Sequence, residues 1–247
     1  MTPLEQHQVE IEKNLRSWQN KPLLQEMYGR FYGQILQHID PKLRGAIVEL
    51  GSGIGNLKTH LPQAICTDLF PNPWLDLVCD AYRLPFPNRS VSHLILLDVF
   101  HHLERPRAFL REARRVLTAQ GRVILFEPFI SATSYPIYGL VHHEPVALRK
   151  SIDSSEEPPA AQNYYAAQGN TTRLFFRGEH PEWLKGWNVA HAEAFNAFAY
   201  LFSGGYSKPA LYPRAWFPFL YSLDAALSYA PSIFAARCLV ELRVAKN

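Results

Sequence analysis

The sequence predicts an open α/β sheet, mostly parallel, with helices on both faces. Three observations lead there. Short apolar runs alternate with helical patterns from residue 46 to residue 126, the rhythm of strand–helix–strand units. Leu94-Ile95-Leu96-Leu97 is apolar without interruption, as strands covered on both faces of a parallel sheet are. The first run, Ala46-Ile47-Val48-Glu49-Leu50, empties into Gly51-Ser52-Gly53-Ile54-Gly55. Glycines recur where a backbone takes positive φ or lets a ligand come close. A chain of 247 residues fits one such domain and needs no disulfide or metal staple.

Residues 4–20 and 22–39 each read as a helix. In the second, Leu23, Leu24, Met27, Phe31, Ile35 and Ile39 recur at helical spacing, Pro22 suits a first turn and Asp40-Pro41 ends it. Residues 46–50 are the first strand, residues 56–61 a helix after the glycine turn, and residues 64–67 a second strand closing on Asp68. Residues 77–79 give a weak third strand and residues 94–97 a fourth. Pro106 opens a helix that sets Phe109, Leu110, Ala113 and Val116 on one side, and Gly121 precedes a further buried strand at 123–126. Residues 150–172 are polar, contain proline and show no period, so they read as a long loop or lid. A short helix near 181–185, a strand near 189–195 and a last strand at 238–244 follow.

Composition narrows the function. Hydrophobic residues make up 47% and charged residues 19% of the chain, which excludes disorder, collagen and coiled coil as the overall state. A net charge of +3, evenly interleaved, offers no stripe for nucleic acid. Cys66, Cys79 and Cys238 have no paired spacing, which argues for a reducing compartment and against a zinc site. The polar start is unlike a signal peptide, and Pro209, Pro213, Pro218 and Pro231 break the one candidate apolar stretch. We therefore expect a cytoplasmic protein.

The glycine turn lacks the third glycine position of a nicotinamide fingerprint, because Gly55 comes one place early and Asn56 follows it. Its neighbours are more informative. Asp68 closes the second strand, where an acid can accept from both hydroxyls of a ribose. Taken with E-L-G-S-G-I-G at 49–55, T-D-L at 67–69, D-A-x-x-L-P-F at 80–86, L-D-V-F-H-H-L at 97–103 and R-x-L-x-x-x-G-R-V at 115–123, the chain resembles a class I S-adenosylmethionine-dependent methyltransferase of the small-molecule, type 11 group. The resemblance covers about residues 45–127.

That resemblance implies a Rossmann-like open sheet, mostly parallel with an antiparallel last strand, preceded by N-terminal helices and carrying an aromatic-rich insertion before the last strands. The expected division is a helical lid at 1–44, a cofactor-binding core at 45–127, an acceptor-pocket insertion with late sheet elements at 128–236, and the last strand at 237–247. S-adenosylmethionine is the expected donor and S-adenosylhomocysteine the product. Gly51, Gly53 and Gly55 would hold the methionine part, with Glu49 beneath them. Asp68 would bind the ribose, Leu69 would cover an adenine face, and Asp80 with the backbone of Ala81 would meet the adenine edge. Asp98 would lie near the sulfonium, and Tyr28, with Tyr32 four residues on, would fold over the cofactor or pack as core.

The acceptor side is read from chemistry. A hydroxyl acceptor must lose a proton, which histidine suits at neutral pH; His101 is the candidate base, with His102 and His143 as further candidates. Adjacent histidines on a turn are expected to diverge. Glu127, ending the fifth strand, could orient the acceptor. His142-His143-Glu144 lacks the helical spacing of a metal motif, and no bound metal is expected. Residues 128–247 hold 21 of the 32 aromatic residues, which suits a sugar, an aromatic ring or a lipid tail, or contact with a membrane interface. Val-His-His-Glu-Pro at 141–145 and Ser-Gly-Gly-Tyr at 203–206 are similar to segments of bacterial methyltransferases of polysaccharide or lipid-linked glycan assembly. The leading expectation is O-methylation of a hydroxylated acceptor such as a sugar or lipid-linked glycan. Methylation of an aromatic or quinone-like molecule, or an inactive cofactor-binding partner, are the alternatives.

Overall fold

The computed structural model describes residues 3–140, 144–160 and 165–245. Two helices, α1 (Pro3–Asn20) and α2 (Pro22–Leu36), lead into β1 (Ala46–Leu50), β2 (Ile65–Asp68), β3 (Leu77–Val78) and β4 (Val91–Leu97). Helix α3 (Pro106–Val116) then joins β4 to β5 (Leu117–Pro128). After α4 (Ser134–Leu140) come β6 (Trp187–Asn196), α5 (Phe198–Phe202), α6 (Phe217–Leu227), α7 (Pro231–Phe234) and β7 (Ala235–Val244). The seven strands lie in the order β3-β2-β1-β4-β5-β7-β6. All neighbours are parallel except β7, which is antiparallel to both β5 and β6.

Strand alternation sorts the apolar residues between two layers. Ile95, Ile124, Phe126 and Leu239 meet Leu24, Phe31 and Ile35 of α2 on one face. On the other, Val48, Leu94, Leu96, Val123, Leu125 and Val240 meet Phe109, Leu110 and Ala113 of α3. With both faces covered, the central strands tolerate no polar alternation, which is why β4 and β5 read as continuous apolar runs.

Two expectations change, and one stretch left unassigned gains structure. The helix at 56–61 is a single 3-10 turn, Asn56–Thr59, because Pro62 biases Leu61 away from helical backbone. The described parts of the 150–172 segment, residues 150–160 and 165–172, are irregular up to Gly169 and packed on the body of the protein rather than free as a lid. Arg105 bonds Asp153 at 2.8 Å and the carbonyls of Glu157 and Pro158, and Ala167, Gln168, Asn170 and Thr171 are buried. The aromatic stretch at 195–234, which shows no periodicity, folds into the three short helices α5–α7.

Candidate functional site

In the strand order, the chain reverses direction between β1 and β4, and a crevice opens there beyond the carboxyl ends of the strands. A cavity of about 870 Å³ fills it, large enough for a drug-sized ligand with room to spare. Its walls include Glu49, Gly51, Gly53, Tyr28, Asp98, His101 and His102 of the expected residues. Gly55, Asp68, Leu69, Asp80 and Ala81 stand outside those walls, and His143 lies outside the described residues.

At one end, β1 turns away through Gly51 and Gly53, both left-handed at φ +68° and +53°. A Cβ on Gly53 would enter open space. The bare backbone thus forms a cradle on the cavity that a ligand can approach and a side chain would fill. Asp68 fixes this cradle. Its Oδ2 accepts the Gly53 N–H at 3.0 Å and its Oδ1 the Leu69 N–H at 2.7 Å. Burial raises the Asp68 pKa, while His7 of α1 and these two N–H groups pull it down. Glu49, beneath the turn, is buried and its carboxyl is pushed up to about 7, although Ser52 and Cys66 bond to it. Asp80 closes a turn of its own, its Oδ1 accepting the Tyr82 N–H at 2.9 Å. Gly55 packs against Trp74.

The other end is built around Glu127, which is fully buried. Its Oε1 accepts the N–H groups of Val99 and Phe100 at 2.9 and 2.7 Å, and its Oε2 lies 2.7 Å from Nδ1 of His101. Glu127 therefore shapes the turn after β4 and does not reach an acceptor. His101 Nε2 lies 3.3 Å from Oε2 of Glu144, and His102 Nε2 lies 3.5 Å from Oε1 of the same carboxylate. His102 Nδ1 is held at 2.9 Å by the Tyr165 carbonyl. The two histidines converge, with ring centroids 4.2 Å apart, because each is pinned from behind and Glu144 faces both. Burial alone would lower the His101 pKa, but Glu127 and Glu144 outweigh it and raise it to about 10. Both ring nitrogens of His101 thus face a carboxylate. Burial opposes ionisation of Glu144, yet His101 and His102 hold its pKa well below the usual carboxylate range.

Arg237 of β7, which sequence reading passed over, completes the wall. It is 1% exposed. Its Nη1 pairs with Oδ1 of Asp98 at 2.6 Å, and its guanidinium lies over the rings of Phe31, Phe126 and Tyr200 at 5.5, 4.9 and 5.3 Å, where cation–π attraction replaces part of the lost hydration. The available signal was a single charge inside Ala235-Ala236-Arg237-Cys238-Leu239-Val240, an otherwise apolar strand. Asp98 takes a left-handed backbone, φ +59°, unusual for a residue with a Cβ and typical of strained functional turns. Tyr138 and Tyr200 also line the cavity, and Tyr206, whose hydroxyl accepts from Asn56 Nδ2 at 3.3 Å, lines it beside the glycine turn; Tyr138 was not foreseen.

Residues 48–125 match the family described as "Methyltransferase domain". No curated protein matches the chain in sequence. Among solved structures, the chain is similar to a chain of the complex between the Haloferax volcanii Trm112 methyltransferase activator and a methyltransferase, with 17% identity, TM-score 0.50, and 91% of this chain and 93% of that one covered. It is similar to geranyl diphosphate methyltransferase in complex with S-adenosylmethionine, with 12% identity, TM-score 0.54 and coverage of 87% and 85%. A geranyl diphosphate C-methyltransferase of Streptomyces coelicolor A3(2), bound to Mg²⁺, geranyl-S-thiolodiphosphate and S-adenosylhomocysteine, matches with 12% identity, TM-score 0.50 and coverage of 88% and 76%. The glycine cradle at the switch point fits the cofactor of that fold. Residues 48–125 thus match a methyltransferase domain, and the chain as a whole has the fold of the solved methyltransferases to which it is similar.

Proposed function

We propose that the protein transfers a methyl group to a hydroxyl of a sugar, a lipid-linked glycan or a similar hydroxylated acceptor. One observation carries the reading. The same cavity is lined by the Gly51–Gly53 cradle and by Tyr138, Tyr200, His101 and Glu144, so donor and acceptor can share one space. When bound, the cofactor supplies a methyl group on a positively charged sulfur. Gly51 and Gly53 admit its methionine part, Glu49 supports them from below, and Asp68 holds the Gly53 backbone in place from outside the wall. Leu69, Asp80 and Ala81 are assigned to the adenosine end, on the side away from the tyrosines. Residues 1–44 act as the cover, since Tyr28 of α2 and Glu10, Lys13 and Asn14 of α1 border the cavity.

At the acceptor end the protein's task is alignment and exclusion of water, which can supply several kcal/mol, up to about 7–11 in favourable cases. The Asp98–Arg237 pair sets the charge there, and the side chains of Tyr200 and Tyr206 border the space left for a ligand. His101, clamped between Glu127 and Glu144, orients the Glu144 carboxylate. Glu144 and His102 are then the groups nearest an incoming hydroxyl.

The ring faces of Tyr28, Tyr200 and Tyr206, with centroids 5.3–6.3 Å apart, also favour an aromatic acceptor as the second reading. Calorimetry with S-adenosylhomocysteine tests the donor end. Wild type should bind, and Gly53→Val, which fills the cradle, should weaken binding at least tenfold. Equal affinity in both would remove the cradle from the site. A screen with isotope-labelled donor against glycans, lipid extracts and phenols tests the acceptor. Label entering phenols alone would replace the hydroxylated-glycan reading with the aromatic one.

A further inference from the structure

We propose that His101, His102 and Glu144 form a site for one divalent transition-metal ion, zinc by its ligand set, with a coordination position open to the cavity. The inference rests on the acceptor end proposed above and gives it a Lewis acid. No metal was expected, because His142-His143-Glu144 lacks the spacing of a metal motif; the grouping in the structure, His101 and His102 with Glu144, is a different one. The fold brings the three together. Their ligand atoms lie within 4.8 Å of one another, and the carboxylate stands 3.3 Å from one imidazole nitrogen and 3.5 Å from the other. Around a tetrahedral zinc with bonds of about 2.0–2.2 Å, neighbouring ligand atoms stand roughly 3.4 Å apart. Each imidazole meets a carboxylate oxygen near that spacing, a different oxygen for each, and the side chains must draw in by up to about 1.4 Å to bring all three ligand atoms round one ion.

The outer contacts point the same way. A metal-bound histidine characteristically gives its other ring nitrogen to a carboxylate or a backbone carbonyl, which fixes the tautomer and the ring plane. His101 Nδ1 meets Glu127 and His102 Nδ1 meets the Tyr165 carbonyl, so both Nε2 atoms are turned toward Glu144. Gln168 Nε2 donates to Glu144 Oε2 at 3.0 Å, steadying the third ligand. Two imidazoles and one carboxylate are a donor set for zinc and its first-row neighbours rather than for calcium or magnesium. All three residues line the cavity, so the fourth position faces the space assigned to the acceptor. A hydroxyl oxygen bound there would release its proton more readily.

The test is zinc binding to the chelator-stripped full chain, followed by calorimetry and by zinc-edge X-ray absorption. The proposal expects one zinc per chain with two imidazole ligands. Glu127→Gln should weaken binding by about 10–100-fold, and His102→Ala and Glu144→Ala by more. Tyr206→Phe should leave it unchanged. Cobalt, as a spectroscopic stand-in, should give the visible absorption of a four- or five-coordinate ion in wild type, a readout that needs no variant to fold. No zinc uptake by wild type, a first shell without two imidazoles, or full affinity in both His102→Ala and Glu144→Ala would overturn the proposal. S-adenosylhomocysteine binding, measured on the same stripped protein, separates the failures. Cofactor binding without zinc binding sinks the metal site alone. Absence of cofactor binding sinks the methyl-transfer reading instead.

Discussion

Glu49 carries the cost of a carboxyl placed under the glycine turn where water does not reach. Burial pushes its pKa up to about 7, from an ordinary 4.5, against the hydrogen bonds that would lower it. The folded protein therefore keeps a proton that the unfolded chain releases near pH 4.5. The stability linked to this proton is fully present below pH 4.5 and is lost as pH rises to about 7. The loss amounts to about 3 kcal/mol. Denaturant titrations of the cofactor-free protein should show that decline in wild type and not in Glu49→Gln; parallel profiles would place the titrating group elsewhere. Single residues were unevenly legible. Gly51, Gly53, Glu49, Asp98 and His101 stand in local motifs, and the structure gathers them on one cavity. Arg237 and Glu144 reach the same cavity only through tertiary contacts more than forty residues away from their partners Asp98 and His101, and no local pattern marks such a meeting. Asp68 was found, but bonded to the Gly53 backbone rather than exposed on the wall.

Helix α5 shows how an element can be held entirely from outside itself. It is five residues long, too short to persist through its own hydrogen bonds, and it has no side-chain cap. Instead Asp224 of α6 accepts the Phe198 N–H at 2.8 Å and the Ala199 N–H at 3.0 Å. Tyr212 adds a bond to the Ala199 carbonyl at 2.7 Å. Removing the carboxylate leaves two buried donors unmet, so Asp224→Ala should cost about 1–3 kcal/mol in urea unfolding. Because Tyr200 sits on α5, the variant should also lose transfer to the acceptor while keeping affinity for S-adenosylhomocysteine. Loss of both together would show that α5 supports the whole cavity and not its acceptor end. Elements of this sort escape sequence reading, since the cap is remote and prolines break the periodicity. The central strands and α3 were legible for the opposite reason. Their apolar faces are set by contact with a sheet covered on both sides, and that contact imposes a period.

Across the whole molecule, the aromatic-rich half divides in two. Tyr200, Tyr206 and Tyr138 turn inward to the cavity. Leu211, Trp216, Phe219 and Tyr229 stand outward, between 59% and 79% exposed. No helix among the described residues is long and apolar enough to cross a membrane, yet outward Trp and Tyr beside apolar side chains favour the interface of a bilayer. A lipid-linked acceptor would be presented at such a surface. Flotation with vesicles of neutral and anionic lipid should carry wild type upward and leave Trp216→Ser/Phe219→Ser behind. Equal flotation of both would remove this face from any lipid contact.

The order in which the strands are made differs from the order in which they pair. Strand β6 is synthesised some forty residues before β7, yet among the described residues β7 is the strand it pairs with and is also the strand that closes β5. During synthesis both edges wait open, and an unpaired edge invites the wrong chain. The same late strand brings Arg237 to Asp98. A nascent chain is thus at its most adhesive just before its acceptor pocket exists, and one docking event ends both conditions. Early release from the ribosome, before β7 emerges, would yield aggregates rather than a partly active enzyme.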